Sequence, residues 1–114
     1  MTNTSARKGA EKEREIAALL SDELGLDCRR LLGAGRADDV GDLHGLDPWV
    51  AQVAWWPQRG VLRAVREKPL ECEAQRVNAG ATFGVSFIRL HGGIWRAVQT
   101  VEQWACAWRE TSEP

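Results

Sequence analysis

The sequence is poor in tyrosine, in lysine and in net charge, and these shortages narrow the possible functions. Its 114 residues include no Tyr, and 15 Lys and Arg nearly balance 16 Asp and Glu, for a net charge of −1. Lys8, Lys12 and Lys68 are the lysines, so arginine supplies most of the positive charge. A strongly basic domain would indicate a phosphate-rich partner from its charge alone. Any nucleic-acid partner of this chain has to be argued from local residues instead.

Cysteines and long apolar runs are also scarce. Cys28, Cys72 and Cys106 are odd in number, far apart and without a C-x-x-C spacing, which argues against a zinc site and a disulfide framework. No apolar run approaches the ~20 residues of a membrane-spanning helix, and the first residues lack the apolar stretch of a signal peptide. We therefore expect a cytoplasmic protein with no membrane partner.

One globular α/β (α+β) domain is the expected architecture. Hydrophobic residues make up 44% of the chain, and a chain of this length buries roughly two thirds of its unfolded surface. Residues 1–6 and 111–114 are expected to be frayed ends. Hydrophobic periodicity predicts the order α, β, β, β, α, β, β, α with a mixed sheet. The helices are predicted over 6–24, over 69–78 and from Thr100 onward, and the strands over 29–32, 40–44, 49–56, 83–88 and 94–99.

Turn and cap residues set the expected boundaries. Pro69 suits the first turn of the second helix, and Gly80 suits its C-terminal end. Whether residues 61–67 join this helix is left open, because Pro69 would kink it. The strands over 40–44 and 49–56 are expected to form a hairpin. Thr100 and Gln103 have capping-box spacing at the start of the last helix.

Three polar residues lie where a sheet-based active site would need them. Glu13 is on the first helix, Asp42 begins a strand, and Gln52 interrupts a nearly continuous apolar strand. Asp disfavours strands, and an inward amide needs a partner. Each also has an ordinary interpretation: Glu13 as a solvated surface charge, Asp42 as a turn or cap residue, and Gln52 as a hydrogen-bond partner within the sheet.

The surrounding motifs resemble the PD-(D/E)xK nuclease superfamily, and within it the small Holliday-junction resolvase-like endonucleases. Residues 9–17 read Gly-Ala-Glu-Lys-Glu-Arg-Glu-Ile-Ala, which is similar to the first-helix motif of that family. Residues 41–45 read Gly-Asp-Leu-His-Gly, which is similar to its hairpin motif. Residues 52–54 read Gln-Val-Ala where the family has Glu-x-Lys, although Gln-x-Lys is a known variant. The motif resemblance covers about residues 8–56.

The resemblance implies a restriction-endonuclease-like αβββαββα core with a mixed central sheet. It implies a structure-specific endodeoxyribonuclease, dependent on Mg²⁺ or Mn²⁺, that resolves branched DNA in recombination and repair. Asp42, Gln52 and the Val53 carbonyl would bind the ion, with Glu13 beside it to hold a metal-bound water or a second ion. A hard divalent ion prefers such oxygen ligands and keeps several waters.

Ala54 stands where the family has its catalytic lysine, which acts next to the attacking water. We interpret Ala54 as a vacated lysine position in an inactivated chain, arising from an engineered substitution or from natural loss. The alternative is that the lysine has moved, and Lys68 is then the one plausible donor. Two further hypotheses stay open: a restriction- or repair-type nuclease of the same fold, and a degenerate, non-catalytic domain that binds DNA or a protein.

Cations near the proposed site form the expected DNA footprint. Ordinary solvated surface residues are the alternative interpretation. Trp55 and Trp56 are candidates for stacking on an unpaired base, or for packing in the core or an interface. Because two symmetric cuts in a junction need two active sites, we expect a homodimer. The footprint comprises Arg7, Lys8, Arg14, Arg29, Arg30, Arg36, Arg59, Arg63, Arg66, Lys68 and Arg76.

Overall fold

A computed structural model describes residues 4–31, 39–56 and 60–112, with side chains from Lys8 onward. In these ranges the chain has the predicted order of elements and the predicted α+β class with a mixed sheet. α1 begins at Thr4 and α3 extends to Ser112, so residues 4–6 and 111–112, which were expected to be frayed, are helical. The elements are α1 (Thr4–Leu24), β1 (Arg29–Arg30), β2 (Leu43–His44), β3 (Trp49–Trp55), α2 (Val61–Ala79), β4 (Phe83–Leu90), β5 (Ile94–Val98) and α3 (Val101–Ser112).

The larger sheet of the described chain has the strand order β3-β4-β5. β3 and β4 are parallel, with Trp49 opposite Phe83 and Trp55 opposite Arg89. β4 and β5 are antiparallel and joined by a tight turn, so that Leu90 lies opposite Ile94. α2 is therefore the crossover connection that a parallel pair requires.

The predicted hairpin between residues 40–44 and 49–56 does not form as a ladder. β2 instead pairs antiparallel with β1, and the Leu31 N–H extends this pairing by donating to the Asp42 carbonyl at 2.8 Å. One backbone hydrogen bond, from the Asp42 N–H to the Ala51 carbonyl at 2.8 Å, joins this segment to β3. The physical reason is local: the Asp42 side chain takes the Val53 N–H that a hairpin ladder would give to a carbonyl.

The two long helices cover opposite faces of β3, because successive strand residues point to opposite sides. Ile16 and Ala17 of α1 pack in one cluster with Ala51 and Val53. Ala54 belongs to a second cluster with Ala64 of α2 and Ile88 of β4. The odd-numbered residues of β3 thus face α1, and the even-numbered residues face α2.

α2 is one continuous helix from Val61 to Ala79, so residues 61–67 do belong to it. Pro69 lies inside the helix and is buried, as are Ala64 and Cys72 on the same face. Proline removes one helical hydrogen bond, but burial of this apolar face supplies the main stability of such a helix. Gly80 ends the helix in the left-handed conformation, as the sequence predicts.

α3 begins at the predicted cap. The Gln103 N–H donates to Thr100 Oγ1 at 3.1 Å. The Gln103 side chain does not complete a capping box: it is buried, accepts from the Gly84 N–H at 3.0 Å and donates to Glu73 Oε1 at 3.2 Å. Gln103 therefore anchors α3 to β4 and α2. None of the helices in the described ranges has the length and hydropathy that a bilayer crossing requires.

We predict that Gln103→Ala lowers the free energy of unfolding by about 1–3 kcal/mol, because the buried Gly84 N–H loses its acceptor. Urea denaturation measures this change. The neighbouring exposed Glu102 is the control, and Glu102→Ala should stay within about 0.5 kcal/mol of the parent. Equal effects of the two substitutions would show that Gln103 does not anchor the helix.

Candidate metal-binding site

Asp42 is pinned against the middle of β3. Its carboxylate oxygen Oδ2 accepts the Val53 N–H at 2.8 Å. Its own N–H and carbonyl are bonded to Ala51 and Leu31, each at 2.8 Å. This predicted metal ligand is thus fixed by both its main chain and its side chain.

The Val53 carbonyl lies on the same edge of β3 as this carboxylate. In a strand, the N–H and the C=O of one residue point to the same side. The Val53 N–H points to Asp42, so the Val53 carbonyl oxygen points to that side as well. The Ala51 carbonyl, which accepts from the Asp42 N–H, has the same orientation. Two of the predicted metal ligands, Asp42 and Val53, are therefore brought together.

The environment of Asp42 opposes its ionisation. Burial raises its pKa from the ordinary value to about 6, and the nearby negative charges of Glu13 and Asp39 act in the same direction. The hydrogen bond from Val53 and the positive charge of Lys68 act against this shift. A divalent cation bound at Asp42 would favour the charged carboxylate.

Glu13 contributes charge to this region but is itself paired. Its Oε1 accepts from Arg30 Nε at 2.8 Å, and both side chains are partly buried. Glu13 and Arg30, predicted as a metal-site residue and as a DNA contact, thus bind each other. Glu13 nevertheless remains close enough to raise the pKa of Asp42.

Gln52 lies in the interior, on the face of β3 covered by α2. Its side-chain oxygen accepts from the Ser86 hydroxyl at 3.3 Å, and both residues are buried. The amide therefore has the partner that burial requires. The structure does not bring its oxygen to the Asp42 edge, and a role as metal ligand stays a prediction.

Ala54 and Lys68 line one cavity. Ala54 is buried, and its cavity of about 440 Å³ is also lined by Val53, Trp55, Trp56 and Lys68. The Lys68 ammonium lies 5.9 Å from the centre of the Trp56 ring and 3.0 Å from Glu71 Oε2. The lysine named as the alternative donor is thus next to the position where the resemblance places one.

Asp39 was not among the predicted site residues, although it belongs to the acidic run before Gly41. Its Oδ2 accepts from the Gln75 side chain at 2.9 Å, and its carbonyl accepts from Asn78 at 2.9 Å. Asp39 thereby attaches the segment that carries Asp42 to α2. The signal that could have identified Asp39 from the sequence is its place next to another acidic residue, Asp38.

The donor set fits a weakly held hard cation. In the described part of the chain, no three His, Cys, Asp or Glu side chains converge to form a metal site. One carboxylate and one carbonyl oxygen would leave the other positions to water and phosphate, which is usual for Mg²⁺. Such a set does not suit zinc, which needs three or four nitrogen, sulfur or carboxylate ligands.

Most of the predicted DNA-contacting cations with described side chains already have acidic partners. Arg29 pairs with Asp27, Arg63 with Glu67, and Arg76 with Glu73. The Arg29 and Arg63 pairs are exposed, and exposed ion pairs contribute about 0–1 kcal/mol, so a phosphate group can compete for these two arginines. Arg14 and Arg66 are exposed. Arg36, Arg59 and the side chain of Arg7 lie outside the described residues.

Comparison with family models, curated proteins and solved structures gave no match. The α+β fold follows from the structure itself. The only indication of a family is the resemblance of the sequence motifs. The arrangement of Asp42, Val53 and Lys68 has to be interpreted by its own chemistry.

We predict that Asp42→Asn raises the free energy of unfolding at pH 8 by about 1–3 kcal/mol and has little effect at pH 4. The folded pKa of about 6 lies above the unfolded value, so this group stabilises the fold below pH ~4. That contribution is lost as the pH rises through 6. Asn keeps an oxygen acceptor for the Val53 N–H without the charge of a partly buried carboxylate.

Denaturation of both proteins at the two pH values measures the difference. Asp27→Asn is the matched control, because Asp27 is exposed and its bond to Arg29 lowers its pKa. The control should not be stabilised at pH 8. Destabilisation by Asp42→Asn at pH 8, or an effect independent of pH, would contradict the prediction.

Proposed function

We propose that this chain is a divalent-metal-dependent endodeoxyribonuclease that acts on branched DNA, on a restriction-endonuclease-like core. The observation that carries the proposal is the pairing of the partly buried Asp42 carboxylate with the Val53 backbone at the centre of β3. Support also comes from the order α, β, β, β, α, β and from the parallel pairing of β3 with β4. The choice of superfamily rests on the resemblance of the motifs around Glu13, Asp42 and Gln52.

Asp42, Val53 and Glu13 would have different roles in the reaction. Asp42 and the Val53 carbonyl would hold Mg²⁺ or Mn²⁺, which when bound supplies Lewis-acid activation of the phosphodiester and of water. Asp42 has to lose its proton first, so activity should rise with pH through about 6 in the weakly metal-saturated enzyme. Glu13, on α1, would hold a water on the adjacent side.

Lys68 is the proposed source of the cation that β3 lacks. It lines the cavity beside Ala54 and Val53, and its charge reaches Asp42. A positive charge placed there would stabilise the negative charge that develops on the reacting phosphate. This position favours a moved lysine over an inactivated chain.

We predict that Lys68→Ala lowers the Mg²⁺-dependent rate of branched-DNA cleavage by about 10²–10³, the usual cost of losing one such group. Adding Ala54→Lys to this variant should restore part of the rate. Arg96→Ala is the control, because Arg96 is an exposed cation of β5 outside the expected DNA footprint. Single-turnover cleavage of a four-way junction measures all the rates.

The possible outcomes separate the hypotheses. A parent chain that becomes active only with Ala54→Lys would indicate the inactivated form. Cleavage of linear duplex as fast as junctions would indicate a restriction- or repair-type nuclease. Absence of cleavage in every variant would contradict the nuclease proposal.

A non-catalytic DNA-binding domain is the second candidate. The bond between the Gln52 amide oxygen and Ser86 favours it, because that oxygen is already satisfied inside the protein. Such a domain would bind junctions in Ca²⁺ and in Mg²⁺ without cutting either. A cytoplasmic location is part of the proposal, since the free thiols Cys28, Cys72 and Cys106 suit a reducing compartment.

We also propose a homodimer, with α3 in its interface. Of the twelve residues of α3, all of them described, only Gln103 is buried. Trp104 and Trp108 lie one turn apart and are 57% and 55% exposed, and Val101 continues the same stripe. An exposed apolar stripe of this kind is typical of a contact surface. A two-fold axis would place the same stripe of a second copy against it.

We predict that sedimentation of the parent chain shows dimers at micromolar concentration, since apolar burial is the driving force. Replacing Trp104 and Trp108 together by Glu should give monomers with an unchanged fold. The matched control is Leu24→Glu, which changes an exposed leucine at the end of α1. A parent chain that stays monomeric at these concentrations would contradict the dimer.

A further inference from the structure

Trp55 and Trp56, at the carboxyl end of β3, line two cavities. One is the 440 Å³ cavity that contains Lys68. The other, of about 380 Å³, is lined by both tryptophans and by cations from α1 and from the β4–β5 turn region. The cationic side chains of this second cavity are Lys8, Lys12 and Arg89, with His91 next to them.

All the lysines of this lysine-poor chain therefore lie around one pair of tryptophans. Lys68 approaches from α2, while Lys8 and Lys12 approach from α1. Lys8 and Lys12 are four residues apart on α1, so their side chains share one helix face, with Cβ atoms about 5–6 Å apart. The sequence does not reveal this cluster, because Lys68 is far from Lys8 and Lys12 along the chain.

Two of the cations around these tryptophans are already paired with carboxylates. Arg89 donates to Glu15 at 2.6 Å, Lys68 pairs with Glu71 at 3.0 Å, and Glu11 also lines the second cavity. Among the described residues, Lys8 and Lys12 form no ion pair. These two are therefore the cations best placed to bind an added anion.

The indole rings are held by close packing. A Cβ added to Gly9 would meet the Trp55 ring at 3.2 Å, and one added to Gly60 would collide with Trp56 Nε1. Both rings thus lie directly against glycine backbone. Trp55 remains 36% exposed, whereas one side of Trp56 is occupied by the Lys68 ammonium. Trp55 is the ring available to a ligand.

We propose that this end of β3 binds an unpaired nucleotide of a DNA strand, with the base stacked on Trp55 and backbone phosphates on Lys8 and Lys12. An aromatic platform beside uncommitted cations is the arrangement that binds single strands without sequence preference. The carboxyl end of parallel strands is also the usual place for a ligand crevice. This inference rests on the proposed function, because it names the part of the branched substrate that this surface takes.

The test is binding of a short fluorescent oligothymidylate, measured by anisotropy in EDTA at low salt. Trp55→Ala should weaken binding roughly 5- to 150-fold, the range for loss of one stacked base. Trp55→Phe should recover most of the affinity, because it keeps a ring. Leu24→Ala, which shortens an exposed apolar side chain at the other end of α1, should leave binding unchanged.

The salt dependence of binding tests the role of Lys8 and Lys12 separately. Replacing Lys8 and Lys12 together by Ala should reduce the slope of log affinity against log salt by about 1.4, or ~0.7 for each phosphate that no longer meets a lysine. Arg109→Ala removes an exposed cation from α3 and should not change the slope. Lys8 is exposed and Lys12 only partly buried, so this measurement stands even if Trp55→Ala fails to fold.

Three results would overturn the inference: a Trp55→Ala protein that folds and binds like the parent, an unchanged salt slope in the lysine variant, or free thymidine monophosphate binding as tightly as the strand. Asp42→Asn distinguishes this inference from the nuclease proposal, because it should abolish cleavage and leave strand binding in EDTA intact. Loss of cleavage alone thus concerns the nuclease, and loss of Trp55-dependent binding concerns this surface.

Discussion

The hydrogen bond from the Val53 N–H to Asp42 Oδ2 is the interaction on which the site depends. It fills the position of a ladder bond and keeps Asp42 against β3 while β2 pairs with β1. It also brings a carboxylate and a backbone carbonyl to one edge of the strand. Because the Asp42 side chain takes the place of a carbonyl in the hydrogen-bond ladder, β3 holds it in a fixed position.

This arrangement has an energetic cost. Burial holds the pKa of Asp42 near 6, and Glu13 and Asp39 add negative charge to the same region. A structural residue in this place would be better as Asn, which keeps the acceptor and avoids the charge. Carboxyl groups with strongly shifted pKa values are common at functional sites. A divalent cation bound together with a phosphate would make use of this charge.

Regular hydrophobic patterns made much of the fold predictable, and the site only in part. The helical spacing of apolar residues such as Ile16 and Ala17 predicted α1, and the alternation around Phe83 and Phe87 predicted β4. The full length of α2 was not predictable, because burial of Pro69 outweighs its local penalty. Nor was the partner of Gln52, because Ser86 is 34 residues away along the chain. The meeting of Lys8, Lys12 and Lys68 likewise depends on how α1 and α2 pack.

Binding of a divalent cation at the Asp42 edge of β3 is the property on which the proposed function depends. The most direct measurement is the NMR spectrum of the ¹⁵N-labelled protein during titration with Mn²⁺, whose unpaired electrons broaden nearby amide signals. We predict that the signals of Asp42 and Val53 broaden first, and that Asp42→Asn abolishes this selectivity. Broadening that begins elsewhere, or that is unaffected by Asp42→Asn, would contradict a cation site at this edge.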